Sequence, residues 1–208
     1  MLVVCAGSAT EIGKTWVGAT VLAELRRHGV TVSARKPAQS FDPADDHLSD
    51  AAMLAAATGE LVDDVCSADR SYPVPMAPPM AAAALGRPIP TLDELVAELR
   101  WPEPEPQVRW VELVGGPRSP LGGDGDGVDL VARLRPDRVV LVADAGLGTI
   151  NAVLLASAPF VELGLPPMVL LNRYDPEVDL HRRNWAWLAE RSATQVHTDA
   201  AALAAALV

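Results

Sequence analysis

Leu2-Val3-Val4-Cys5-Ala6 runs directly into Gly7-Ser8-Ala9-Thr10-Glu11-Ile12-Gly13-Lys14-Thr15, and a helical pattern follows from Trp16 to Arg27. An apolar strand, a glycine-bounded loop and Gly-Lys-Thr at a helix start together make a phosphate cradle. Backbone N–H groups converge on the anion and the helix N-terminus adds positive potential. The lysine reaches the terminal phosphates and the threonine hydroxyl faces Mg²⁺. Glu11, Ile12, Gly13, Lys14, Thr15 and Trp16 are therefore the candidate nucleotide contacts. Five residues separate Gly7 from Gly13-Lys14, one more than usual, and Ser8 stands where the strict pattern has glycine. As a bare pattern this is a near miss. The strand before it and the helix after it supply the context that an ordinary βα turn with an accidental Lys-Thr lacks.

Further apolar, strand-like runs recur at 30–35, 108–112, 138–143 and 167–171, with helical patterns at 15–28, 49–58, 91–100, 149–163 and 180–190. Strands that alternate with helices, and are apolar nearly throughout, predict an α/β fold with a parallel sheet covered by helices on both faces, P-loop NTPase-like. Such sheets bind ligands beyond the carboxyl ends of their strands. Two stretches read as irregular, Tyr72 to Pro79 and Gly122 to Gly127. The proline content of the first suits a fixed wall better than a hinge. The Ala-rich tail 199–208 reads as a short helix.

The length of 208 residues suits one P-loop α/β domain over 1–208. Net charge is −10 with no basic run, which argues against nucleic acid and anionic membranes as partners. No apolar stretch approaches the roughly 20 residues of a membrane span. Cys5 and Cys66 lack CxxC spacing and read as reduced thiols of a cytoplasmic protein, and the four histidines are scattered, without metal-ligand spacing.

Lys36-Pro37 follows the second strand. Proline cannot continue a ladder, so the strand ends there and the Lys36 side chain falls at the rim where phosphates lie. A second lysine there can neutralise charge that builds on a transferring phosphoryl group, which makes Lys36, with Lys14, a catalytic candidate. Taken alone, Lys36 could equally be a solvated strand-end lysine. Asp50 begins a helix and Glu112 ends a strand. Together with Thr15 they form a candidate Mg²⁺ set, although Asp50 could instead cap its helix, a job for which Ser49 competes. Asp45 and Asp46 read as solvated loop charges.

With these residues in view, the chain resembles dethiobiotin synthetase, the penultimate enzyme of biotin synthesis, over nearly its whole length. The loop GSATEIGKT resembles that family's GTDTEVGKT, and Lys36-Pro37-Ala38-Gln39-Ser40 its second-lysine motif. Ser49-Asp50-Ala51, the proline segment from Tyr72, and Glu112 with Gly115-Gly116 and Pro120-Leu121 also have counterparts. So do Gly146-Leu147-Gly148-Thr149-Ile150-Asn151 and Asn172-Arg173, the asparagine standing at the family's adenine contact.

The resemblance implies a reaction in which 7,8-diaminononanoate, CO₂ and MgATP give the cyclic urea dethiobiotin, ADP and phosphate. It implies that Ser8 and Ser40 bind carbamate or amines, and that the helix start at Thr149, Ile150 and Asn151 receives the substrate carboxylate. It further implies a homodimer with active sites at the interface. Departures from the family lie at Ala9, Phe41, Leu113-Val114 and Pro117-Arg118. Bulk at 41, 113 and 114 is expected to crowd the junction of phosphate and diamine. Two alternatives stand beside a working synthetase: a divergent nucleotide-binding paralogue, and a partitioning-type ATPase switch. The latter group carries a lysine where this chain has Ser8.

Overall fold

The structure, a computed structural model, describes residues 1–191 and 194–208. The chain opens with β1 (Leu2–Gly7), α1 (Lys14–Arg27), β2 (Val32–Arg35), β3 (Gln39–Ser40), α2 (Asp50–Thr58) and α3 (Val62–Val65). It continues through β4 (Ser71–Tyr72), α4 (Pro78–Ala84), α5 (Leu92–Glu98) and β5 (Val108–Glu112). A short β6 (Pro120–Gly122) and β7 (Gly125–Asp126) lead into α6 (Gly127–Leu134) and β8 (Arg138–Asp144). The last elements are α7 (Thr149–Glu162), β9 (Met168–Asn172), α8 (Asp179–Arg191), β10 (Val196–His197) and α9 (Ala200–Ala206).

Six strands form one parallel sheet in the order β10-β9-β8-β1-β5-β2. Its strands alternate strictly between two apolar clusters, as a period of two requires. Val4 and Ala6 of β1, Val111 of β5 and Leu141 and Ala143 of β8 face one side, against α5, α6, α7 and α8. Val3 and Cys5, Trp110, and Val140 and Val142 face the other, against α1, α2 and α9. All five predicted long strands and the flanking helices are present, so the P-loop-type α/β sheet with helices on both faces holds.

The stretches expected to be irregular are small elements that trim the site side. β3 and β4 pair in parallel, and Pro78-Pro79 open α4, where a missing N–H costs nothing. Gly122 to Gly127 is the tip of the antiparallel β6–β7 hairpin and its run into α6, which Asp126 caps with Asp129 in a reciprocal box. Ser49, not Asp50, caps α2 by accepting from Ala52 N–H at 3.2 Å. Among the described residues no helix is long and apolar enough to cross a membrane.

The expectation that Leu113 crowds the substrate junction is corrected. Glu112 and Leu113 are consecutive, so strand alternation sends them to opposite faces. Leu113 is fully buried in the cluster of Val111, Leu121 and Leu130. Val114 packs half-buried against the same cluster, while Phe41 lies at the surface. Leu113→Ala should accordingly lower the unfolding free energy by about 2–5 kcal/mol in urea titration. A loss below about 1 kcal/mol would mean that the side chain does not fill the core.

Candidate active site

The phosphate loop owes its shape to two positions. Gly13 sits at φ 85° and Glu11 at φ 61°, both left-handed. A Cβ on Gly13 would lie 2.2 Å from Asn172 Nδ2, so nothing larger than glycine fits there. Asn172, buried at the end of β9, donates from Nδ2 to the Ile12 carbonyl at 2.8 Å. Arg173, itself at φ 56°, donates to the Glu11 carbonyl at 3.0 Å and pairs with Asp144 at 3.3 Å. The end of β9 thus grips the loop from below. Asn172, expected at the base, commits its amide nitrogen to the loop backbone.

Val17 N–H makes the first bond of α1, to the Gly13 carbonyl. The N–H groups of Lys14, Thr15 and Trp16 are left for an anion, as at any helix start. Lys14 folds back over Gly7, where a Cβ would meet Lys14 Cδ at 2.8 Å. The indole of Trp16 is 55% exposed beside this turn.

The centre of the site is a charged cluster built from four elements. Lys36, just past β2, is 2% exposed and Glu112 at the end of β5 is 0% exposed. Lys36 Nζ lies 2.6 Å from Asp50 Oδ2 and 2.6 Å from Glu112 Oε1. The Thr15 hydroxyl stands 2.8 Å from Asp50 Oδ1 and 2.7 Å from Glu112 Oε1, and can donate to only one at a time. Burial alone would depress the Lys36 pKa, but Glu112 and then Asp50 outweigh it and hold it above its ordinary value. For Asp50, burial pushes upward, but the Lys36 charge and the hydrogen bonds from Lys36 and Thr15 together push further downward, leaving the carboxyl below the ordinary aspartate value. Lys14 is lowered, first by burial and then by repulsion from Lys36. Four of the five residues that sequence assigned to metal and phosphate chemistry, Thr15, Lys36, Asp50 and Glu112, are thus joined in one contact network, with Lys14 beside it.

Two carboxylates and a hydroxyl are hard oxygen donors, the set that holds Mg²⁺ alongside nucleotide phosphates. Glu112 Oε2 is buried without a hydrogen-bond partner among the described residues, an arrangement that a nearby cation would relieve. The donor set fits that ion.

Around this centre the remaining candidates are placed by backbone contacts. Ser8 donates its N–H to Val142, and a Cβ on Gly116 would lie 3.6 Å from the Ser8 carbonyl, so the loop after β5 rests against the phosphate loop. Ser40 donates its hydroxyl to the Met76 carbonyl at 2.6 Å, which leaves its lone pairs to accept. At the start of α7, Thr149 is buried, its hydroxyl donating to the Asp144 carbonyl and its N–H to the Gly146 carbonyl. Ile150 and Asn151 are the first-turn residues left to present backbone N–H groups.

Three supporting residues escaped the sequence reading. Gln39 accepts from Ala51 N–H at 3.0 Å and donates to Ser71 at 2.9 Å, which fixes the helix start that carries Asp50. Arg173 holds the loop tip. Asn184, buried in α8, donates to the carbonyls of Ala145 and Gly146 and so shapes the turn into α7. Gln39 and Arg173 lie inside motifs already singled out; Asn184 has no local signal.

A family model described as an AAA domain matches residues 2–198. The chain is similar to an ATP-dependent dethiobiotin synthetase BioD of Caulobacter sp. (strain K31), 39% identical over 72% of this chain and 66% of that protein. It thus spans just under two thirds of that relative's length. The enzyme of the same name from Parafrankia sp. (strain EAN1pec) is 32% identical over 88% of this chain and 76% of its own. Among solved structures, a plasmid partition protein from Borrelia burgdorferi superposes with a TM-score of 0.55 at 11% identity, covering 95% of this chain and 89% of that one. The last likeness shows the fold alone. The identities over most of both chains show more: this chain belongs to the dethiobiotin synthetase family.

Proposed function

We propose that this protein closes the cyclic urea of dethiobiotin from 7,8-diaminononanoate, CO₂ and ATP. One observation carries the reading beyond family membership: Lys36, Asp50, Glu112 and Thr15 meet beside a phosphate loop that bears Lys14. One amine of the diamine takes up CO₂ as a carbamate. The carbamate oxygen attacks the γ-phosphorus of ATP and ADP leaves, giving a mixed carbamic–phosphoric anhydride. The second amine then attacks the carbamoyl carbon and expels phosphate.

Each residue answers one demand of that sequence. Lys14 and the N–H groups of the loop hold the β- and γ-phosphates in line. Lys36 neutralises the carbamate and the charge that develops on the transferring phosphoryl group. Thr15, Asp50 and Glu112 would hold Mg²⁺, which would supply charge neutralisation for the nucleotide phosphates. Ser8 and Ser40 hydrogen-bond the carbamate or amines. Asn172 is read as the adenine contact, together with its grip on the loop. The N–H groups at Thr149, Ile150 and Asn151 take the substrate's carboxylate; of these, Ile150 and Asn151 are the free donors. In this reading the protein is one domain over residues 1–208 and works as a cytoplasmic homodimer, the carboxylate site of one subunit completing the centre of the other.

Incubation with MgATP, bicarbonate and the diamine, followed by mass spectrometry, should show the cyclic urea; its absence alongside intact ATP binding would leave a nucleotide-binding paralogue. Lys14→Ala should lose nucleotide-induced thermal stabilisation, which at about 100-fold saturation amounts to roughly 2.7 kcal/mol. Lys36→Gln should lower kcat more than it raises KM, because its partner charge develops in the transition state. An intact kcat with a raised KM would make Lys36 a binding residue only. The depressed Asp50 carboxyl gives a pH signature. Its stabilising pair with Lys36 is fully present above the unfolded aspartate value of about 3.9 and fades as pH falls through the lower folded value. The urea-midpoint difference between wild type and Asp50→Asn should therefore hold steady from about pH 7 to 5 and shrink below about pH 4.

A further inference from the structure

Lys36 carries an ammonium almost entirely out of water, and its Nζ sits between the same carboxylates that form the proposed metal set. Both pairs are 2.6 Å long, and Thr15 closes the third side through its contacts to both carboxylates. We infer that Lys36 is the resident cation of this oxygen cradle when nucleotide is absent, and that a divalent cation enters only together with the nucleotide, whose phosphoryl oxygens then take over the lysine. The inference rests on the metal reading given above.

Three physical arguments support it. Two carboxylates converge on one hydroxyl, the carboxylate of Glu112 fully buried and that of Asp50 partly exposed, and the buried one requires a cation, since a buried charge left unpaired is strongly destabilising. Mg²⁺ binds oxygen at about 2.0–2.1 Å, so an ion that takes Asp50 Oδ2 and Glu112 Oε1 displaces the ammonium from them. Finally, Glu112 and Asp50 are the ion-pair partners of Lys36 among the described residues. Lys14, its cationic neighbour, repels it. Binding of the metal alone would strand the ammonium beside a like charge; binding with ATP places phosphoryl oxygens between the two lysines. The arrangement couples metal affinity to nucleotide, and it releases Lys36 toward the reacting phosphoryl group only when the cradle is filled.

Mn²⁺ titrations followed by electron paramagnetic resonance test this on the intact chain. Without nucleotide, wild type and Lys36→Arg should bind Mn²⁺ at least tenfold more weakly than Lys36→Met, and addition of AMPPNP should bring Mn²⁺ onto wild type. Equal Mn²⁺ affinity of wild type and Lys36→Met without nucleotide would overturn the inference. Should Lys36→Met fail to fold, melting of wild type decides. Mn²⁺ alone should leave its Tm unchanged and Mn²⁺ with AMPPNP should raise it, whereas a rise with Mn²⁺ alone would overturn the inference. Glu112→Gln separates the two readings. If nucleotide-dependent Mn²⁺ binding survives that change undiminished, the metal assignment itself fails. If that binding is lost while wild type still takes Mn²⁺ unaided, only the resident-cation inference fails.

Discussion

A buried ammonium between two carboxylates is the constraint around which this site is arranged. Lys36 and Glu112 have essentially no solvent contact, so each needs an opposite charge beside it. Their pairing requires β2 and β5 to end side by side, and it draws the start of α2 in through Asp50. It also brings in the first turn of α1 through Thr15. Such pairs contribute little net stability over an apolar core. Their value lies in fixing which strand ends meet.

The parallel sheet makes this convergence possible. Every strand points its carboxyl end the same way, so Gly7, Lys36, Glu112, Asp144 and Asn172 arrive at one edge from distant parts of the chain. Support there comes from backbone carbonyls and side-chain amides. Asn172 holds Ile12, Gln39 holds the start of α2, and Asn184 holds the turn into α7. These bonds cross up to 160 positions of sequence. The phosphate loop, whose Glu11 occupies a backbone region that is costly for a side chain, keeps its form because the end of β9 clamps it.

Much of this was legible in the amino-acid order. The apolar runs and the glycine-bounded loop define the sheet and the nucleotide side, since period-two burial and helix-terminus chemistry act locally. Lys36, Asp50 and Glu112 could be placed at element ends for the same reason. Leu113 could not be placed by its departure from the family pattern; the alternation past Glu112 was the better guide, and it sends the side chain into the core. The two-residue strands β3 and β4 are too short for any periodicity. The long-range amide bonds of Asn172 and Asn184 depend on tertiary approach, which no local pattern encodes.

The most direct test of the account is a crystal structure with Mn²⁺ and AMPPNP, the metal located by its anomalous scattering. The account predicts manganese among Thr15 Oγ1 and the carboxylates of Asp50 and Glu112, bound directly or through one water, with Lys36 Nζ withdrawn from them onto the γ-phosphoryl oxygens. Manganese more than about 5 Å from both carboxylates, too far even for a bridging water, would contradict it. So would a Lys36 still wedged between Asp50 and Glu112 with the metal bound.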